Sequence, residues 1–166
     1  MEANVQLNNE ILIKILQFIE EIQIPVYLSK ITQSTFLPGI LIKNGALHLD
    51  LEQLKYPGDV LHEAGHIAVT EADKRSSLHD NVTLDDPQKE GEEFAVLFWS
   101  YAAATHIGIP VEAVFHADGY KGDSQWLITQ FKQGNYLGLP LLQWMGLTDS
   151  ETNNITLPKM KKWLRA

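Results

Sequence analysis

Residues 60 to 69 read Val-Leu-His-Glu-Ala-Gly-His-Ile-Ala-Val, and this run constrains the chain more than any other. Two histidines and a glutamate stand inside an otherwise apolar stretch. Positions four apart lie on one face of an α-helix, one above the other. As a helix, the run aims the imidazoles of His62 and His66 at a common point. Pro57 and Gly58 supply a start signal, and Asp59 is expected to cap the first turn. The apolar flanks predict burial, with Gly65 admitting a second element at close range. Two imidazoles and a carboxylate in one buried turn are costly to desolvate unless a cation accompanies them. The competing reading is a core helix whose histidines are satisfied by hydrogen bonds alone.

A zinc site needs three protein ligands and an open position. The chain has no cysteine, so a thiolate is excluded and any ligand must be a histidine or a carboxylate. A third histidine at the spacing HExxHxxGxxH is absent, because Val69 stands where the glycine would be. His79 and Asp80 lie in a polar stretch and read as loop residues. Glu92 and Glu93 are the better candidates. They open a strongly apolar helix, Phe94 to Ile107, which must be buried on most sides. At least one of the two carboxylates then faces inward and needs a partner. Glu93 is favoured over Glu92, because its face continues through the small residues Ser100 and Ala104. The alternative is that both merely complement the helix dipole.

With its two histidines and intervening glutamate, the string resembles the HExxH motif of zinc hydrolases. Followed by a glutamate ligand on the next helix, it is similar to the gluzincin branch of the zincins, and among those to small ImmA/IrrE-type metallopeptidase domains. The resemblance covers roughly residues 57 to 107. It implies an α+β zincin-like fold, with a small antiparallel sheet packed on the HExxH helix and a second ligand-bearing helix. It implies Zn²⁺ on His62, His66 and Glu93 or Glu92, with Glu63 as general base toward a peptide or protein substrate. The chain departs from that family after the glutamate, where Phe94-Ala95-Val96-Leu97 replaces the usual Ala-Asn, and at the helix end, which runs Thr105-His106-Ile107-Gly108-Ile109-Pro110. Gluzincins commonly hold the developing oxyanion with a histidine or tyrosine, and His116 and Tyr120 are the candidates here. An ordinary polar loop is the competing reading for both. A zincin scaffold kept as a zinc-binding regulatory or interaction domain, without catalysis, is the alternative function.

Length and composition bound the rest. The 166 residues suit one domain, taken as 1–166. The net charge of −8 disfavours nucleic acid as a partner. The absence of cysteine fits a cytoplasmic location. The first ten residues carry Glu2 and Glu10 and no basic cluster, unlike a secretory signal. Ile11, Leu12, Ile15, Leu16, Ile19 and Ile22 follow helical spacing, in a helix too short and too charged to span a membrane. Pro25 to Leu28 and Phe36 to Asp50 read as extended, with a hairpin at Lys43-Asn44-Gly45-Ala46. His48 alternates with Leu47 and Leu49 and is expected on the solvent side. Thr70 to Lys89 reads as a long polar connection, in which Asp85-Asp86 reads as solvated. Short helices are expected within Pro110 to Ala117 and over Ser124 to Lys132. Pro140, Trp144 and Trp163 are expected in the core or at a subunit contact, and His106 at the helix end near the last carbonyls.

Overall fold

Ile11, Ile15, Phe18 and Ile19 fall at helical spacing, and all four are buried. They dock α1 (Glu2–Glu21) onto the rest of a computed structural model that describes residues 1–80, 87–149 and 157–166. Three short strands follow: β1 (Val26–Leu28), β2 (Ile40–Lys43) and β3 (Ala46–Leu49). Asn44 and Gly45 both adopt positive φ, 52° and 72°, as a tight hairpin turn demands, and join β2 to β3 antiparallel.

The sheet order is β1-β3-β2, and β1 pairs parallel to β3. The expectation of an antiparallel sheet therefore holds only for the β2–β3 hairpin. Residues 29–39 carry the chain from one edge of the sheet to the other, which leaves β1 in the same sense as β3. Leu47 and Leu49 are buried, and His48 turns to the other face, where its ring stacks on Tyr27 at 5.2 Å.

The α+β architecture centres on α2 (Pro57–Ala68), which touches α1, β2 and β3. Pro57 occupies the first turn and Tyr56 is the N-cap residue. Asp59 is buried and makes no capping bond, so the expected cap is replaced by a different role for this carboxylate. α3 runs from Pro87 to Ile107, with Val96, Phe98, Trp99, Ala103 and Ala104 in the core. It starts earlier than the sequence suggested. A proline suits a first helical turn, so Pro87 opens the helix rather than closing a loop. Glu92 and Glu93 thus lie inside α3, beyond its first turn, where dipole complementation is weak.

α2 and α3 cross at Gly65. A β-carbon built there would lie 2.9 Å from Val96 Cγ1 and 3.1 Å from Trp99 Cε3, with Ser100 Oγ at 3.4 Å. The small residue and the hydroxyl together set the separation of the two helices. α4 (Val111–Val114) crosses α2 at Gly58, where a β-carbon would strike the Ala113 carbonyl. α5 (Ser124–Lys132) and α6 (Leu139–Trp144) follow, α5 after a 3₁₀ turn at Tyr120–Gly122. Among the described residues no helix is long and apolar enough to cross a membrane.

The part of the polar connection before residue 81 is more ordered than its composition suggested. It contains a 3₁₀ turn at Arg75–Ser77 and a bridge from His79 back to Lys43. Asp85 and Asp86 lie outside the described residues. Trp163 packs against Phe18 and Trp99 as expected, and Trp99 Nε1 donates to the Trp163 carbonyl at 3.0 Å. His106 joins that cluster through ring contacts with Phe18 and Trp163. Trp144 and Pro140 are exposed and so lie outside the core, which leaves for them the expectation of a subunit contact; the six-residue α6 turns Leu139 and Leu142 inward. The Trp144 ring is covered in part by the Arg165 guanidinium, 4.9 Å from its centroid.

Candidate metal centre

The site begins with one stripe of α2. Asp59, His62, Glu63 and His66 stand at i, i+3, i+4 and i+7, which is a single helix face. Asp59, Glu63 and His66 are buried and His62 is nearly so. One ligand atom from each of His62, Glu63 and His66 lies within 4.8 Å of the others, a spacing that can hold a metal ion.

α3 brings Glu93 across from the other side. Its Oε1 lies 3.3 Å from His62 Nε2, and its Oε2 lies 3.2 Å from His66 Nε2. One carboxylate thus spans both imidazoles through the same ring nitrogen. Glu92, one residue earlier, turns to Arg165, with 3.7 Å between Oε1 and Nη1. Arg165 also bonds Glu71 at 3.1 Å and the carbonyls of Ala68 and Val69 at the end of α2. This arginine clamps the two site-bearing helices together, a role its position in the sequence did not announce.

Burial and mutual charge shift these groups in opposite directions. Burial raises the pKa of Glu63, and the negative charges of Asp80 and Glu93 add to that rise against the pull of the two histidines. Burial also acts to raise Glu93, but bonds and charge from His62 and His66 win, and its carboxyl lies well below the usual range. Burial disfavours the charged form of His62, yet Glu93 outweighs it and the imidazole pKa is raised. Among the described residues no lysine or arginine pairs with Glu63 or Glu93. Two imidazole nitrogens and carboxylate oxygen form a donor set suited to a divalent transition metal.

The segment after α4 flanks this stripe. His116 Nε2 lies 2.7 Å from Asp59 Oδ1. Its ring stacks on Tyr56, with centroids 3.8 Å apart and planes at 15°, and its Nδ1 is buried without a partner among the described residues. The Tyr56 hydroxyl in turn donates to Asp118. Asp59 is raised in pKa by burial, partly offset by His116. The Tyr120 hydroxyl lies 3.2 Å from His62 Nδ1, the nitrogen that does not face Glu93. Burial and then the charge of Asp59 push its phenol pKa well up.

The structure therefore gathers His62, Glu63, His66, Glu93, His116 and Tyr120 around one stretch of α2, and sends Glu92 elsewhere. His79 stays outside this cluster. Asp80 accepts the Phe36 N–H at 3.0 Å, which commits one of its oxygens to the neighbouring loop. Sequence reasoning missed Asp59 as a site residue. Its signal was the spacing Asp-x-x-His-Glu-x-x-His, which extends the stripe by one turn. Comparison of the chain with protein-family models, curated proteins and solved structures finds no match.

Proposed function

We propose that this protein is a zinc-dependent hydrolase of peptide or related amide bonds, built on a zincin-like arrangement. The observation that carries the reading is the single Glu93 carboxylate facing Nε2 of both His62 and His66, with Glu63 on the same helix face and bound to neither. His62, His66 and Glu93 would hold the metal. Zn²⁺ supplies Lewis acidity there, bringing the pKa of water toward neutrality and polarising a carbonyl.

The chain's own residues do the rest. Glu63 takes a proton from the attacking water and returns it to the leaving nitrogen. Its raised pKa suits a group that must both accept and give up a proton. His116, held by Asp59, is the group we assign to the developing negative charge. A buried helix face, bounded by α3 and the segment after α4, limits the access of bulk water to these groups.

The test is metal analysis at stoichiometric resolution, followed by peptide-library hydrolysis. One zinc per chain is expected, lost in His62→Ala. Glu63→Gln should keep the zinc and lose turnover by about 100-fold or more. A folded protein that takes up no zinc, or that carries iron instead, overturns the assignment. A zinc-loaded wild type no more active than Glu63→Gln would leave the alternative, a non-catalytic zinc-binding domain.

A further inference from the structure

The two ring nitrogens of His62 face two different groups. Nε2 meets Glu93 Oε1 at 3.3 Å, and Nδ1 meets the Tyr120 hydroxyl at 3.2 Å. An imidazole that coordinates through Nε2 must carry its proton on Nδ1, and that proton needs an acceptor. A hydroxyl can accept from Nδ1–H, and it can donate to a bare Nδ1. We propose that Tyr120 is a positioning residue that accepts the His62 Nδ1–H and fixes the orientation of the ring, so that Nε2 is offered to the metal, and that it does not act on the substrate. The inference rests on the zinc reading above and adds a role within it.

The backbone supplies a second, independent observation. Tyr120 and Lys121 have φ of 56° and 53°, two successive non-glycine residues in the left-handed region, followed by Gly122 at 88°. L side chains rarely adopt this conformation, and it persists where the surroundings fix it. Here they do. The Tyr120 ring packs on Phe115 with centroids 5.1 Å apart and meets the His62 ring edge-on at 83°. Ser124 Oγ fastens the same segment by donating to the His116 carbonyl at 2.6 Å. The phenol is thus delivered to Nδ1 by a locally unfavourable turn held from three sides.

The experiment titrates zinc into chelator-stripped full-length protein against a competing chromophoric chelator. Tyr120→Phe should bind zinc about 10- to 100-fold more weakly than wild type, with an unchanged circular dichroism spectrum. Proton NMR of the zinc-loaded wild type should show a His62 Nδ1–H protected from solvent exchange and close to the Tyr120 ring, a readout that needs no variant and decides the matter if Tyr120→Phe fails to fold. Zinc affinity of Tyr120→Phe within about twofold of wild type, or a His62 Nδ1–H that exchanges freely with solvent, overturns the inference and leaves the zinc site standing. A wild type that binds no zinc overturns the site reading itself, and this inference with it.

Discussion

Asp59 and His116, 57 residues apart in the chain, meet at 2.7 Å between Oδ1 and Nε2, one helical turn ahead of His62. The contact joins the stripe of α2 to the segment after α4 and gives His116 a fixed carboxylate partner. Asp59→Asn keeps the shape and a hydrogen-bond acceptor but removes the charge. It should lower kcat on the order of 10- to 100-fold while leaving KM and zinc content close to wild type. Loss of zinc from the variant would show that Asp59 serves the ligands rather than His116.

The two adjacent glutamates of α3 should separate cleanly. Glu93→Gln removes the carboxylate between the two imidazoles and should weaken zinc binding by more than about 100-fold. Glu92→Gln touches the Arg165 clamp instead. It should keep one zinc per chain and cost about 1–2 kcal/mol of stability, measured by urea unfolding. The reverse pattern would exchange the roles of the two residues.

Gly65 offers a test of the helix crossing. Alanine would gain about 1 kcal/mol in helix propensity. Its β-carbon would also meet Val96 Cγ1 at 2.9 Å and the fully buried Trp99. A β-branched side chain in a helix has little rotamer freedom, so relief requires the helices to part, at about 1–3 kcal/mol. Gly65→Ala should therefore be net destabilising and should weaken zinc binding, because Glu93 rides on the displaced helix. A variant more stable than wild type with full zinc affinity would contradict this packing.

The metal-free and zinc-loaded proteins should respond oppositely to pH. Glu93 is lowered from an ordinary 4.5, so its contribution is present above that value and lost as pH falls. His62 is raised from 6.5, so its contribution is full below 6.5 and lost as pH rises through the raised value. Glu63, raised by burial, also disfavours the fold increasingly above 4.5. The stripped protein should thus have its thermal-melting maximum between about 4.5 and 6.5. Zinc needs neutral imidazoles, so the rise in Tm that it produces should grow from pH 6 to 8. A zinc-induced shift independent of pH would remove the histidines from the ligand set.

What the sequence made legible was local. The spacing of His62 and His66, the burial of their helix, the Asn44-Gly45 hairpin and the close approach at Gly65 all follow from periodicity or from backbone freedom within a few residues. The parallel pairing of β1 with β3 did not follow, because nothing in a three-residue strand encodes a partner some twenty residues away. Asp59 was misread as a cap for a related reason. An acid in a first turn carries the same local signal whether it faces solvent or a histidine brought from another segment. The clamp formed by Arg165 is equally non-local. The start of α3 at Pro87 was readable in principle, since proline marks first turns as well as loops, but the surrounding polar residues favoured the second meaning.

The stripe from Asp59 to His66 has one more consequence. Because four groups share one rigid rod, their mutual bearings are fixed by a winding of about 100° per residue. Insertion or deletion of a single residue anywhere between the first and the last of them would swing part of the set to another quarter of the helix. A substitution along those eight positions alters one group at a time, whereas a change in the length of that stretch would dismantle everything the stripe assembles.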